Sequence, residues 1–162
     1  MSTDRELVTQ WLKGLGILHR SHFAMASRCQ NRHTILGISI IVLSATVGSA
    51  VFGSLESSTT SAARIAVGML SMLAAILASL QTFLKFSERA ESHKAAAARY
   101  GVIRRELEQA LAVSGTDPVP SDVLTSIRNR WDVLDSESPT VPKRIREASS
   151  PASRRNAHYP QE

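Results

Sequence analysis

Acidic and basic side chains are missing from two stretches of this 162-residue chain, residues 34–52 and 65–84. A soluble domain spreads charge along amphipathic elements, so charge-free runs of this length argue against one. At 1.5 Å of rise per residue, the two runs make helices about 28 and 30 Å long, the thickness of a bilayer's hydrocarbon core. Cysteine is nearly absent as well: Cys29 stands alone, which excludes an intramolecular disulfide. Residues 1–33 show no signal-peptide pattern, because the apolar run starts late, is long and is followed by a second one. Neither span carries an ionisable group, whereas proton relays and charged-substrate transporters normally keep one at mid-depth. That counts against a pump or coupled transporter.

The net charge is +5, and its distribution matters more than its size. Lys13, Arg20, Arg28 and Arg32 precede the first span, and Lys85, Arg89, Lys94, Arg99 and Arg104 follow the second. The connection at 53–64 holds Arg64 and Glu56 as its only charges. By the positive-inside rule both termini are expected in the cytoplasm.

The flanks read as amphipathic helices. Over 4–30, Leu7, Trp11, Leu15, Leu18, His22, Met25 and Cys29 recur at steps of three and four, weakened by Gly14 and Gly16. Proline is absent from 65–112, so span two is expected to run on as one helix into 85–112. Its apolar or small stripe there is Phe86, Ala90, His93, Ala97, Tyr100, Leu107 and Leu111, interrupted by Arg104. Ser114, Gly115 and Pro118 signal a stop, and Pro120, Ser121 and Asp122 a new start. Val123, Leu124, Ile127, Trp131 and Leu134 predict a short helix over 121–135. From Ser136 the chain is rich in Ser, Pro and Arg, and 136–162 reads as a mostly disordered basic tail. The fold class is thus all-α: a two-transmembrane helical hairpin with cytoplasmic amphipathic helices packed as a small bundle, in one domain over 1–135.

Within span two, Gly68, Ser71, Ala75, Ala78 and Thr82 make one small or weakly polar face. Span one offers Ser44, Ala45, Gly48 and Ser49 for packing. Such faces permit close helix approach. Two uses stay open: packing of one span on the other, or assembly of several hairpins around a central space. Gln81, the one amide in either span, could ring a pore mouth or hydrogen-bond at a helix interface. Two helices cannot enclose a channel, so conduction requires a homo-oligomer.

No enzyme is expected. Catalytic residues, cofactor sites and metal sites all read as none. His19, His22, Cys29 and His33 lack the spacing of a structural zinc site, and no serine has a His/Asp partnership. Gly14-Leu15-Gly16 is no phosphate loop. Arg99, Arg104 and Arg105 are expected to be solvated or paired with Glu106 and Glu108 rather than to hold an anion. The tail's basic cluster (Lys143, Arg144, Arg146) reads as solvated, with no nucleic-acid partner expected. The bilayer itself is the expected partner.

Residues 33–38 (His33-Thr34-Ile35-Leu36-Gly37-Ile38), 42–48 and Val51-Phe52 resemble the first span of SLATT-domain proteins. Residues 73–84 resemble the second span. Residues 86–94, Ala98-Arg99-Tyr100 and 104–108 resemble its continuation, and His22-Phe23-Ala24 fits the first helix. SLATT denotes a two-transmembrane effector domain associated with SMODS nucleotidyltransferases and SLOG proteins. The resemblance implies an effector of the bacterial inner membrane that forms a pore or disrupts the membrane in conflict and nucleotide-signalling systems. It implies a trigger from a separate sensor protein or from a ligand on the cytoplasmic helices. The alternative is a non-conducting membrane anchor that recruits a cytoplasmic partner through its helices.

Overall fold

A computed structural model describes residues 2–54 and 60–150. Its elements, in order, are α1 (Ser2–Ser54), α2 (Ser61–Leu84), α3 (Phe86–Ser114), α4 (Ser121–Glu137) and α5 (Lys143–Ala148). No strand occurs among the described residues, and the all-α expectation holds. The chain divides into two compact units: residues up to Ser27 with those from Ala90 on, and Arg28–Arg89.

The first unit is a helical bundle. Its centre is Val8, Leu15, Ala96, Tyr100, Ile103, Leu107, Ile127 and Leu134. The start of α1 and the body of α3 run antiparallel, since Arg5 hydrogen-bonds the Gly115 carbonyl while His22 meets His93. Helix α4 lies antiparallel to α3 as well, with Arg130 paired to Glu106 and Tyr100 to Asp135. Gly14, which weakens the helix by itself, makes room for Trp131: a Cβ there would sit 3.3 Å from the indole ring. Trp131 in turn meets Trp11 edge to face at 6.2 Å. The sequence stripes are the buried faces, with two changes. Val8 rather than Leu7 enters the core, and Ile103 fills the place where Arg104 interrupts the stripe. Because Leu107 is fully buried, Leu107→Ala leaves a cavity and is expected to cost about 2–5 kcal/mol, read as a lowered urea midpoint of Trp fluorescence.

Three expected boundaries move. The helix expected over 4–30 and the span expected over 34–52 form one continuous helix, α1. The single helix expected over 65–112 is interrupted at Lys85, which adopts φ 47° and ψ 42° and separates α2 from α3. Its carbonyl accepts the Arg89 N–H at 3.1 Å, so the helix ladder restarts there. No glycine, asparagine or proline announces this break. A lysine in the left-handed region carries a strain of about 1–2 kcal/mol. Lys85→Gly is expected to raise stability in detergent by about 1 kcal/mol, measured as a higher melting temperature. Lastly, the stretch read as disordered from 136 contains helix α5, whose Ile145 is buried, as are Val141 and Ser149. Apolar residues are sparse there, so periodicity gives no signal, but two of them find the bundle. Residues 151–162, including Tyr159, lie outside the described residues.

Candidate functional site

The second unit, Arg28–Arg89, contains both charge-free runs. Two helical stretches are long and apolar enough to cross a membrane, and none of the residues in their most apolar windows is buried. Leu36, Ile40, Leu43 and Val47 are half-buried at steps of four, three and four on span one. Val67, Leu70, Ala74, Leu77, Gln81 and Leu84 are half-buried at steps of three and four on span two. These rows form the seam of the hairpin, and Gln81 Nε2 lies 3.6 Å from where a Cβ on Gly37 would be. The amide therefore faces span one at the seam.

Away from the seam the surface is apolar. Ile41 and Phe52 on span one and Ile65, Met69, Met72 and Phe83 on span two are each more than 60% exposed. Water would penalise such a surface heavily, whereas lipid does not. Five hydroxyls of the spans are satisfied within their own helices: Thr46 donates to the Val42 carbonyl, Ser49 to Ala45, Ser71 to Val67, Ser79 to Ala75 and Thr82 to Ala78. None of these groups needs water. At the end of the unit Arg32 stacks over the buried Phe86 ring, 5.9 Å from its centroid.

The small faces singled out in the sequence lie mostly outside the seam. Gly68, Ala75, Ala78 and Thr82 are exposed, and of that row only Ser71 is half-buried. On span one, Ser44, Ala45 and Ser49 are exposed and Gly48 is half-buried. A Cβ on Gly48 or Gly68 would meet nothing within 4 Å, so neither glycine serves a close approach inside the chain. Branched aliphatic residues make the hairpin and leave the small rows uncovered. Sequence spacing reveals both rows but not which of them the partner span takes.

In the bundle, a polar chain that is buried at His22, His93 and Tyr100 and ends on the exposed Asp135 joins three helices. His22 of α1 and His93 of α3 touch through their Nδ1 atoms at 3.1 Å, so one ring donates and the other accepts. Burial pushes the His22 imidazole down to about 4, reinforced by repulsion from His93 and Arg146 and opposed by Asp135. Burial lowers His93 too. The Tyr100 ring lies 5.3 Å from that of His22, and its hydroxyl donates to Asp135 Oδ1 at 2.5 Å. Burial and that bond push the phenol up to about 12. Both rings are neutral near pH 7 and lock α1 to α3, while Tyr100 ties α3 to α4. Among the described residues no group of three metal-ligating side chains occurs. Arg99 pairs with Glu137 at 3.0 Å, Arg104 with Glu108 at 2.7 Å, and Glu106 goes to Arg130 rather than to its own helix.

A lipid-suited hairpin joined to a packed helical bundle defines a two-transmembrane membrane protein. The chain belongs to the SMODS and SLOG-associating 2TM effector domain family 4, whose sequence model matches residues 17–137. The matched segment ends where α4 ends, at Glu137. No curated protein and no solved structure matches the chain.

Proposed function

We propose that this protein is a membrane-permeabilising effector of a bacterial defence system, assembling into homo-oligomers through the small rows of its spans. The observation that carries the reading is the uncovered row Gly68, Ala75, Ala78 and Thr82, which the hairpin's own seam does not use. Small residues facing lipid gain little there, but between helices they let backbones approach closely. Both termini sit in the cytoplasm, a placement supported by nine basic residues flanking the spans against Arg64 between them. The protein acts without catalysis, and a separate sensor protein or a nucleotide-signalling partner supplies the trigger to the bundle. Purified protein reconstituted into dye-loaded liposomes tests this: release of dye supports a pore or disruption, and intact vesicles at high protein content reject it.

The second reading, a non-conducting anchor, draws on one feature. An open apolar groove between α3 and α4, lined by Val102, Ile103, Val133 and Leu134 with Arg99 and Glu137 beside it, leaves Val102 and Val133 exposed. An anchor predicts no ion flux and function that survives exchange of the spans for unrelated ones.

A further inference from the structure

Helices α3 and α4 carry the same surface pattern. On α3 it is Arg99, Val102 and Glu106, and on α4 it is Arg130, Val133 and Glu137. Each trio is a cation, a valine three residues on and a carboxylate four beyond that, a spacing that keeps all three on one helix face. The residue after each valine, Ile103 or Leu134, is buried in the bundle. Because the two helices run antiparallel, the trios meet head to tail: Arg99 pairs with Glu137 at 3.0 Å, and Arg130 pairs with Glu106. Between these ion pairs Val102 and Val133 line the open groove, 44% and 56% exposed. The face therefore has a local two-fold axis of its own, which passes between the valines.

Such a face is complementary to itself. An isologous contact uses the same patch on both chains, so each charge must meet its opposite when the patch is turned onto its own copy. Laid face to face, a copy sets every ridge opposite an antiparallel ridge, in either of the two alignments that the local axis permits. Each guanidinium then faces a carboxylate of the copy, and four valines meet in one apolar layer between the charges. Exposed ion pairs stabilise a single chain only weakly, so sharing Arg99, Glu106, Arg130 and Glu137 with a second chain costs the first one little. An unrelated protein in this groove would give no reason for matching ridges on α3 and α4.

We propose that the α3–α4 face docks on the same face of a second copy of this chain, through Val102 and Val133 and the four charges around them. From Arg99 to Glu106 the helix advances only about 10 Å, so the patch is far smaller than the roughly 800 Å² per partner of a stable interface. The contact therefore acts between chains already gathered in one membrane, where their effective concentration is high. It deepens the homo-oligomeric reading above and rests on it for bringing the copies together. It adds a second meeting place, in the bundle, to the small rows of the spans.

Cross-linking of the full chain in liposomes is the test, with Val133→Cys introduced beside Cys29→Ala and a short bismaleimide as the reagent. Cross-linked dimers are expected at low protein content, and far fewer when the cysteine replaces Phe23, which is exposed on α1. Arg99→Glu with Arg130→Glu makes the face wholly acidic, and Glu106→Lys with Glu137→Lys makes it wholly basic. Each is expected to cut dimer yield about tenfold, because like charges now face each other across the contact. Mixing the acidic and basic chains is expected to restore the yield, which a misfolded variant could not do. Trp fluorescence verifies the fold of each chain separately. Yields indifferent to both reversals, no recovery in the mixture, or equal capture through Phe23→Cys overturns the proposal. So does a Val133→Cys chain that takes a monofunctional maleimide yet never cross-links, which would leave the groove to a different protein. Dye release plays no part in the readout: tight vesicles holding cross-linked dimers would reject permeabilisation and keep this contact.

Discussion

Leucine at Gly68, Ala75, Ala78 and Thr82 together is expected to cut liposome dye release by about tenfold or more and to abolish toxicity on overexpression. The row lies outside the hairpin seam, so the larger side chains enter lipid-facing space and leave the fold of a single chain intact. On the proposed reading, what they remove is close contact between copies. A tenfold loss corresponds to only about 1.4 kcal/mol, less than the repeated contacts of an oligomeric ring can supply. Ser71 is left unchanged because it is half-buried, with its hydroxyl on the Val67 carbonyl. A control at the seam, Ala74→Leu, is expected to lower the stability of the hairpin itself, since Ala74 is half-buried. Undiminished release from the fourfold variant would show that this row is not where copies meet.

Acidification should weaken the bundle by about 3 kcal/mol between pH 6.5 and 4. His22 titrates near 4 in the folded chain and near 6.5 when unfolded. The unfolded state thus takes up the proton first as pH falls. The stabilisation is complete above 6.5, declines through the interval, and is gone below the folded value. His93 is lowered in the same direction and adds to the loss. Trp11 and Trp131 both report on the bundle, so urea titrations of their fluorescence at several pH values measure the slope. Replacing His22 with Gln removes one of the two titrating rings, and the pH slope should fall accordingly. An identical slope in wild type and His22→Gln would refute the role of the pair.

The spans are legible from composition because lipid offers no partner for charge, so 34–52 and 65–84 stand out without any periodicity. The bundle stripes are legible because helix spacing aligns the buried residues: His22, His93, Tyr100 and Leu107 all appear in rows read from the chain and all are buried. The break at Lys85 was not legible. Its left-handed backbone conformation has no signature in a lysine, and nothing local favours it. Helix α5 was hidden for another reason: six residues with one buried isoleucine carry too little pattern to separate from a tail.

The glycines show the limit most clearly. In sequence, Gly14 and Gly16 only weaken a helix. In the folded chain Gly14 seats the Trp131 indole and Gly16 lies beside the guanidinium groups of Arg20, one turn on, and Arg104; Trp131 and Arg104 come from distant parts of the chain. Likewise the histidines carried no zinc spacing, and their pairing across 71 residues is a property of the antiparallel packing.

Composition and helical period, which act locally, determined that this chain is helical, that it enters a bilayer twice, and which faces of its flanking helices are apolar. Rotation of each helix against its neighbours, decided by how whole surfaces fit, was left to the tertiary structure. That rotation gives the seam to Leu36, Ile40, Leu43 and Val47, leaves the small rows facing outward, and sets Arg99 against Glu137 and Arg130 against Glu106. A face can be read from spacing along one helix, but the neighbour it meets depends on contacts between residues far apart in the chain.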